Sequence, residues 1–114
     1  MLPAAHRMRR SQEFADTVRR GRRCGREHLV VHYHLAHDQD AAPPLVGFIV
    51  SRAVGGSVDR NRVKRRLRHQ IALRLPVLPC GGRFVVRARP AAGHAASHEL
   101  GNELDACFAR WGLS

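Results

Sequence analysis

The sequence predicts an α/β domain in which a small sheet is covered by helices. Three observations carry this expectation. Leu29, Val31, Tyr33 and Leu35 alternate with Val30, His32 and His34, the period of a strand. A second apolar run, Leu45–Ser51, leads through a glycine turn into a long basic segment with helical spacing. Near the end, Leu100, Leu104, Phe108 and Trp111 recur at helical intervals. The chain has 114 residues, of which 44% are hydrophobic. That suits one domain over residues 1–114 with one modest core.

The elements follow in order. Met1–Arg10 is read as a flexible basic arm. Ser11 is placed to cap a first helix, with Glu13 in its first turn and Gly21 at its end. Phe14 and Val18 share one face of it. A strand hidden within Cys24–Val30 remains open. The Leu29–Leu35 strand is followed by a polar, proline-rich loop, His37–Pro44, and then by the Leu45–Ser51 strand. Two strands joined by a loop predict an antiparallel pair. Arg52–Gly56 is a turn, and Ser57 is placed to cap a helix that stops before Pro76. In that helix Val63, Leu67 and Ile71 form an inward stripe, with Asn61, Arg65, Arg68 and His69 on roughly the opposite flank. Arg60 and Lys64 fall near the edge of the stripe. Arg83–Arg89 reads as a strand closed by Pro90. Ser97 is placed to cap the last helix, whose Glu99, Glu103 and Asp105 make it acidic.

The formal net charge is +11, nearly all of it arginine, with Lys64 the one lysine. Such an excess implies an anionic partner, nucleic acid first and an anionic membrane surface second. Guanidinium suits phosphate because it offers a planar fork of donors. Cys24, Cys80 and Cys107 are odd in number and widely spaced, which argues against a disulfide framework or a zinc site. No apolar run is long enough to span a bilayer, and the first ten residues lack the apolar region of a signal peptide. The expected location is cytoplasmic, with no membrane partner and no small-molecule substrate. His32 and His34 lie on one strand face, but no third ligand stands at diagnostic spacing. Acidic residues are sparse, and no nucleophile motif or phosphate loop accompanies them. The chain by itself does not read as an enzyme, and no catalytic residue is assigned to it. A DNA-binding regulator would need a two-helix recognition unit, whereas strands precede this basic helix.

Arg60–Arg68, RNRVKRRLR, closely resembles the RNR signature of the bacterial ribonuclease P protein family. The preceding GFIVSRAVGGSV is similar to that family's strand and turn, and RMRRSQEFADTVRRGRR to its N-terminal segment, with Phe14 at an aromatic position. FVVRARPAA resembles the late strand. The likeness runs from about Arg7 to Trp111. It implies a two-layer sandwich with a mixed sheet of about four strands, in the order α-β-β-β-α-β-α, with a left-handed βαβ crossover against the usual rule. It also implies a function: the protein subunit of a ribonucleoprotein endoribonuclease that removes the 5′ leader of precursor tRNA. In that family a catalytic RNA and its magnesium ions (Mg2+) carry the hydrolysis. Carried over by position, Arg60, Asn61, Arg62, Lys64, Arg65 and Arg68 would contact RNA. Phe14, Val18, Val30, His32, Ser51 and Arg52 would line the leader groove. Val18 stands where the family often has a second aromatic, and His32 where it often has tyrosine. The alternative is an RNA-binding ribosomal or assembly protein with no nuclease partner.

Overall fold

The structure is a computed structural model that describes residues 2–36 and 42–113. The loop expected at His37–Pro44 lies largely outside the described residues. Three helices, α1 (Ser11–Arg20), α2 (Ser57–Ala72) and α3 (Ser97–Arg110), accompany four strands: β1 (Arg22–Gly25), β2 (Leu29–Leu35), β3 (Leu45–Ile49) and β4 (Gly82–Ala88). The element order is the expected one. The open question of a further strand is settled slightly upstream of Cys24–Val30, at Arg22–Gly25.

The sheet order is β1-β2-β4-β3. β1 and β4 each pair with β2 antiparallel, and β3 runs parallel to β4, with α2 as the crossover between them. The antiparallel β2–β3 pair expected from their proximity in sequence does not form. β4 inserts between them. Phe84, Val85 and Val86 are all fully buried, so β4 is apolar on both faces and belongs in the middle of the sheet. β3 is left at an edge.

That edge explains a second difference. Residues 2–10, expected as a loose arm, pack along β3. Arg7 bridges Val46, Met8 N–H donates to Val46 O at 2.9 Å, and Leu2 is fully buried. The segment thereby covers unpaired backbone groups of an edge strand. The three serines expected as caps are instead first helical residues, after Arg10, Gly56 and Ala96. At α3 the Glu99 carboxylate accepts the Ala96 N–H at 2.9 Å, and Ser97 Oγ accepts from Gln70 on α2.

α2 and α3 pack on one face of the sheet. Val63, Leu67 and Ile71 meet Leu100, Leu104 and Phe108 there, over Val31, Tyr33, Phe84 and Val86. Burial of this set is the main stabilising contribution. α1 lies across part of the opposite face. Its Thr17 hydroxyl donates to Glu13 O, and Glu13 pairs with Arg83 of β4. Gly21 closes α1 where any side chain would collide with the carbonyls of Thr17 and Tyr33, so only glycine allows so tight an exit into β1.

Candidate nucleic-acid interface

The register of the sheet sets the floor of the site on the α1 face. One row runs Gly47, Val85, His32, Arg23 across β3, β4, β2 and β1; the next runs Ile49, Arg87, Val30, Gly25. The Phe14 ring occupies the space above Gly47, where a Cβ would come closer than 3.0 Å to it. Gly47 is therefore what lets α1 sit down on β3.

Beside Phe14 a cavity of about 160 Å³ is lined by Arg7, Met8, Gly47, Phe48 and two residues of α2, Lys64 and Arg68. The structure thus joins the basic helix to the aromatic residue of α1 in one depression. Arg60 and Asn61 lie on the same flank of α2 as Lys64 and Arg68, and Arg65 points outward. Arg60 Nε is buried without a hydrogen-bond partner among the described residues. Arg62 is separated from this set. It sits on the far flank, where it bonds Asp59 at 2.8 Å and the Gly93 carbonyl at 3.5 Å. Arg66 is committed in the same direction, to Ala95 O at 2.6 Å.

The residues expected in a leader groove are divided by the fold. Phe14 lines the cavity, while Val18 is exposed further along α1. Val30 and His32 share the sheet face under discussion, but Val30 is 1% exposed and offers almost no surface. Ser51 and Arg52 are exposed just past β3 and are not part of the cavity lining.

His32 is 5% exposed, and its Nδ1 has no partner among the described residues. Burial, then the nearby positive charges of Arg87 and Arg23, pull its pKa below the ordinary 6.5, so the imidazole is neutral at pH 7. Arg89 extends over the same face, its guanidinium against Gly25, with Nε likewise buried and unpartnered. Buried polar atoms without partners are rare and mark places where a ligand can supply the missing bond. Arg23 belongs to the basic run at the exit of the first helix in the sequence, whereas Arg87 and Arg89 were not singled out from it. Arg87 and Arg89 do alternate with Val85 in the β4 run, but only the cross-strand register brings them beside His32.

The cavity lining holds no carboxylate, so it does not fit a magnesium ion, which takes oxygen ligands. Among the described residues one group of metal-donor side chains clusters, Glu27, His28 and Glu103. It lies at the β1–β2 turn, and Glu103 already accepts the backbone N–H groups of His28 and Leu29. Among the described residues no helix is long and apolar enough to cross a membrane.

Comparison with known proteins gives concordant matches. A family model described as Ribonuclease P matches residues 2–112. The ribonuclease P protein component of Streptomyces bikiniensis is 51% identical over 116 residues, covering 96% of this chain and 94% of that protein. That of Beutenbergia cavernae is 54% identical over 114 residues, covering 99% and 93%. The solved RNase P protein of Staphylococcus aureus superposes with a TM-score of 0.83 at 20% identity, covering 95% and 96% of the two chains. At that identity the last match speaks for the fold.

Proposed function

The chain belongs to the ribonuclease P protein family, and on that premise we propose that it acts as the protein subunit of a cytoplasmic ribonuclease P. In this reading it binds a catalytic RNA and the 5′ leader of precursor tRNA. The observation that carries the reading is the depression where Phe14 meets Lys64 and Arg68. It gives a flat ring beside two cations at the edge of a sheet face bearing Arg23, Arg87 and Arg89. Single-stranded RNA needs both, a surface on which a base stacks and charges that follow the phosphates.

The work divides by element. Arg60, Asn61, Lys64, Arg65 and Arg68 of α2 bind phosphates of the catalytic RNA, and each phosphate neutralised releases counterions. The leader runs over the sheet face past Phe14 toward His32. Arg62 stays with Asp59 and Gly93 and orients α2 against the loop before α3. The protein supplies binding and charge, and the hydrolysis with its magnesium belongs to the RNA. A ribosomal role would use the same charge but would not require a groove for a leader.

The test is reconstitution at low magnesium with a bacterial ribonuclease P RNA and a precursor tRNA. The expected result is faster release of the leader than with RNA alone, and no cleavage by the protein alone. Equal rates with and without the protein overturn the proposal.

A further inference from the structure

A second depression lies at the opposite edge of the sheet and shares no residue with the first. It measures about 360 Å³ and is lined by Arg20, Arg22, Tyr33, His34, Leu35 and Trp111. It exists because β1 begins only at Arg22. Arg22 pairs with Tyr33, the last β2 residue with a partner on β1, so the ends of His34 and Leu35 are open on that side.

The aromatic wall is rigid. Tyr33 stacks on Phe84 with centroids 4.7 Å apart and an 8° interplanar angle, and Trp111 leans on Tyr33 at 5.4 Å and 40°. Trp111 caps α3, and the turn beyond it is locked. Gly112 adopts φ +74°, and Leu113 N–H reaches back to Phe108 O at 2.8 Å. Leu113 then packs against the core.

This wall differs from an ordinary core margin. Trp111 is only half-buried, and Leu35 beside it is 45% exposed. Neither the Tyr33 hydroxyl nor the Trp111 indole N–H is among the buried side-chain atoms left without a partner, which suits a wall that borders solvent. Arg20 and Arg22 are exposed, and neither forms an ion pair among the described residues, whereas Arg19 holds Asp16 and Arg83 holds Glu13.

We propose that this pocket binds one nucleotide of single-stranded RNA, the base stacked on Trp111 and its phosphate held by Arg20 and Arg22. Unstacked bases have a free face for an anchored ring, and duplex bases do not. Two guanidinium groups at the rim match a phosphodiester in charge and geometry. The site is a second RNA contact, separate from the Phe14 groove, and lets one chain hold two points of an RNA.

Trp111 is the only tryptophan, so its fluorescence reports the pocket directly. The probe is a short oligouridylate, with an RNA duplex of equal length as comparison. The single strand is expected to quench Trp111 saturably, and the duplex to quench it far less. Arg20→Ala with Arg22→Ala should weaken the quenching titration about fivefold or more, while Arg65→Ala with Arg68→Ala leaves it in place. Arg20, Arg22 and Arg65 are exposed and Arg68 is half-buried, and circular dichroism is to check that both variants fold. Trp111→Phe, read by anisotropy of a labelled oligouridylate, should weaken binding through the smaller ring. No quenching overturns the proposal. So does quenching that survives the Arg20/Arg22 pair or disappears with the Arg65/Arg68 pair, which would make Trp111 a remote sensor of the other groove. Leader cleavage in the reconstituted enzyme tests the subunit assignment separately.

Discussion

Glu103 of α3 ties down the turn between β1 and β2 by accepting the backbone N–H of His28 at 3.0 Å, and that of Leu29 at 3.1 Å through the same oxygen. The His28 ring Nδ1 meets the other carboxylate oxygen at 2.5 Å. Glu103 is only 9% exposed, so these donors have little water to turn to. An acidic residue that looks like surface charge in sequence is a bracket between helix and sheet.

Glu103→Leu should therefore destabilise the fold by about 2–4 kcal/mol, because two buried N–H groups lose their acceptor. Glu103→Gln, which keeps one carbonyl oxygen, should lose clearly less. Urea denaturation measures both, and amide exchange should quicken first at His28 and Leu29. A loss in Glu103→Leu below about 0.5 kcal/mol, the range of neutral surface changes, would contradict the bracket.

The Phe14–Gly47 contact predicts a coupling. Gly47→Ala puts a methyl group where the ring now lies, an overpacking cost of about 1–3 kcal/mol. In a Phe14→Ala background the same change should cost far less, since the space is vacated. A double-mutant cycle measures the difference. Additive effects would mean that α1 does not rest on Gly47. Gly47→Ala should also weaken binding of a single-stranded leader, because it moves the stacking ring.

His32 gives a pH dependence with a definite sign. Its pKa in the folded chain is depressed, first by burial and then by Arg87 and Arg23. The unfolded chain therefore takes up the proton first. Stability from this site is fully present above about pH 6.5 and falls as pH drops through the folded-state value. The groups facing it on the sheet are Arg23, Arg87 and His34, all basic. An NMR titration of the His32 ring should give a midpoint below 6.5. Arg87→Gln should raise that midpoint without restoring it, since burial is the larger cause. A midpoint at or above 6.5 in the unmodified chain would refute the placement of His32.

Much of this was legible in the residues. The period of two at Leu29–Leu35 and the stripe of Val63, Leu67 and Ile71 depend only on local geometry, and both elements form where the pattern puts them. The likeness around Arg60–Arg68 pointed to the right family, and Phe14 lines a cavity with Lys64 and Arg68. Pairing was not legible. Adjacency in sequence favoured β2 against β3, but β4 is buried on both faces and takes the central place. Nor was the packing of residues 2–10, which follows from β3 being left at an edge. Arg62 carried the same charge as its neighbours in the signature, yet the helix turns it toward Asp59 and Gly93.

The sequence by itself determined the three helices, the strands other than β1, the sign of the partner and the family, because these follow from side-chain periodicity, summed charge and local motif. The tertiary structure alone decided which residues meet. His32 with Arg87, Trp111 with Arg22, and Glu103 with His28 each join elements distant in the chain. The cause is sheet order, register and the packing of α3 on the sheet, which arise when apolar faces are buried together, and a one-residue change of register on β4 would turn Arg87 away from His32.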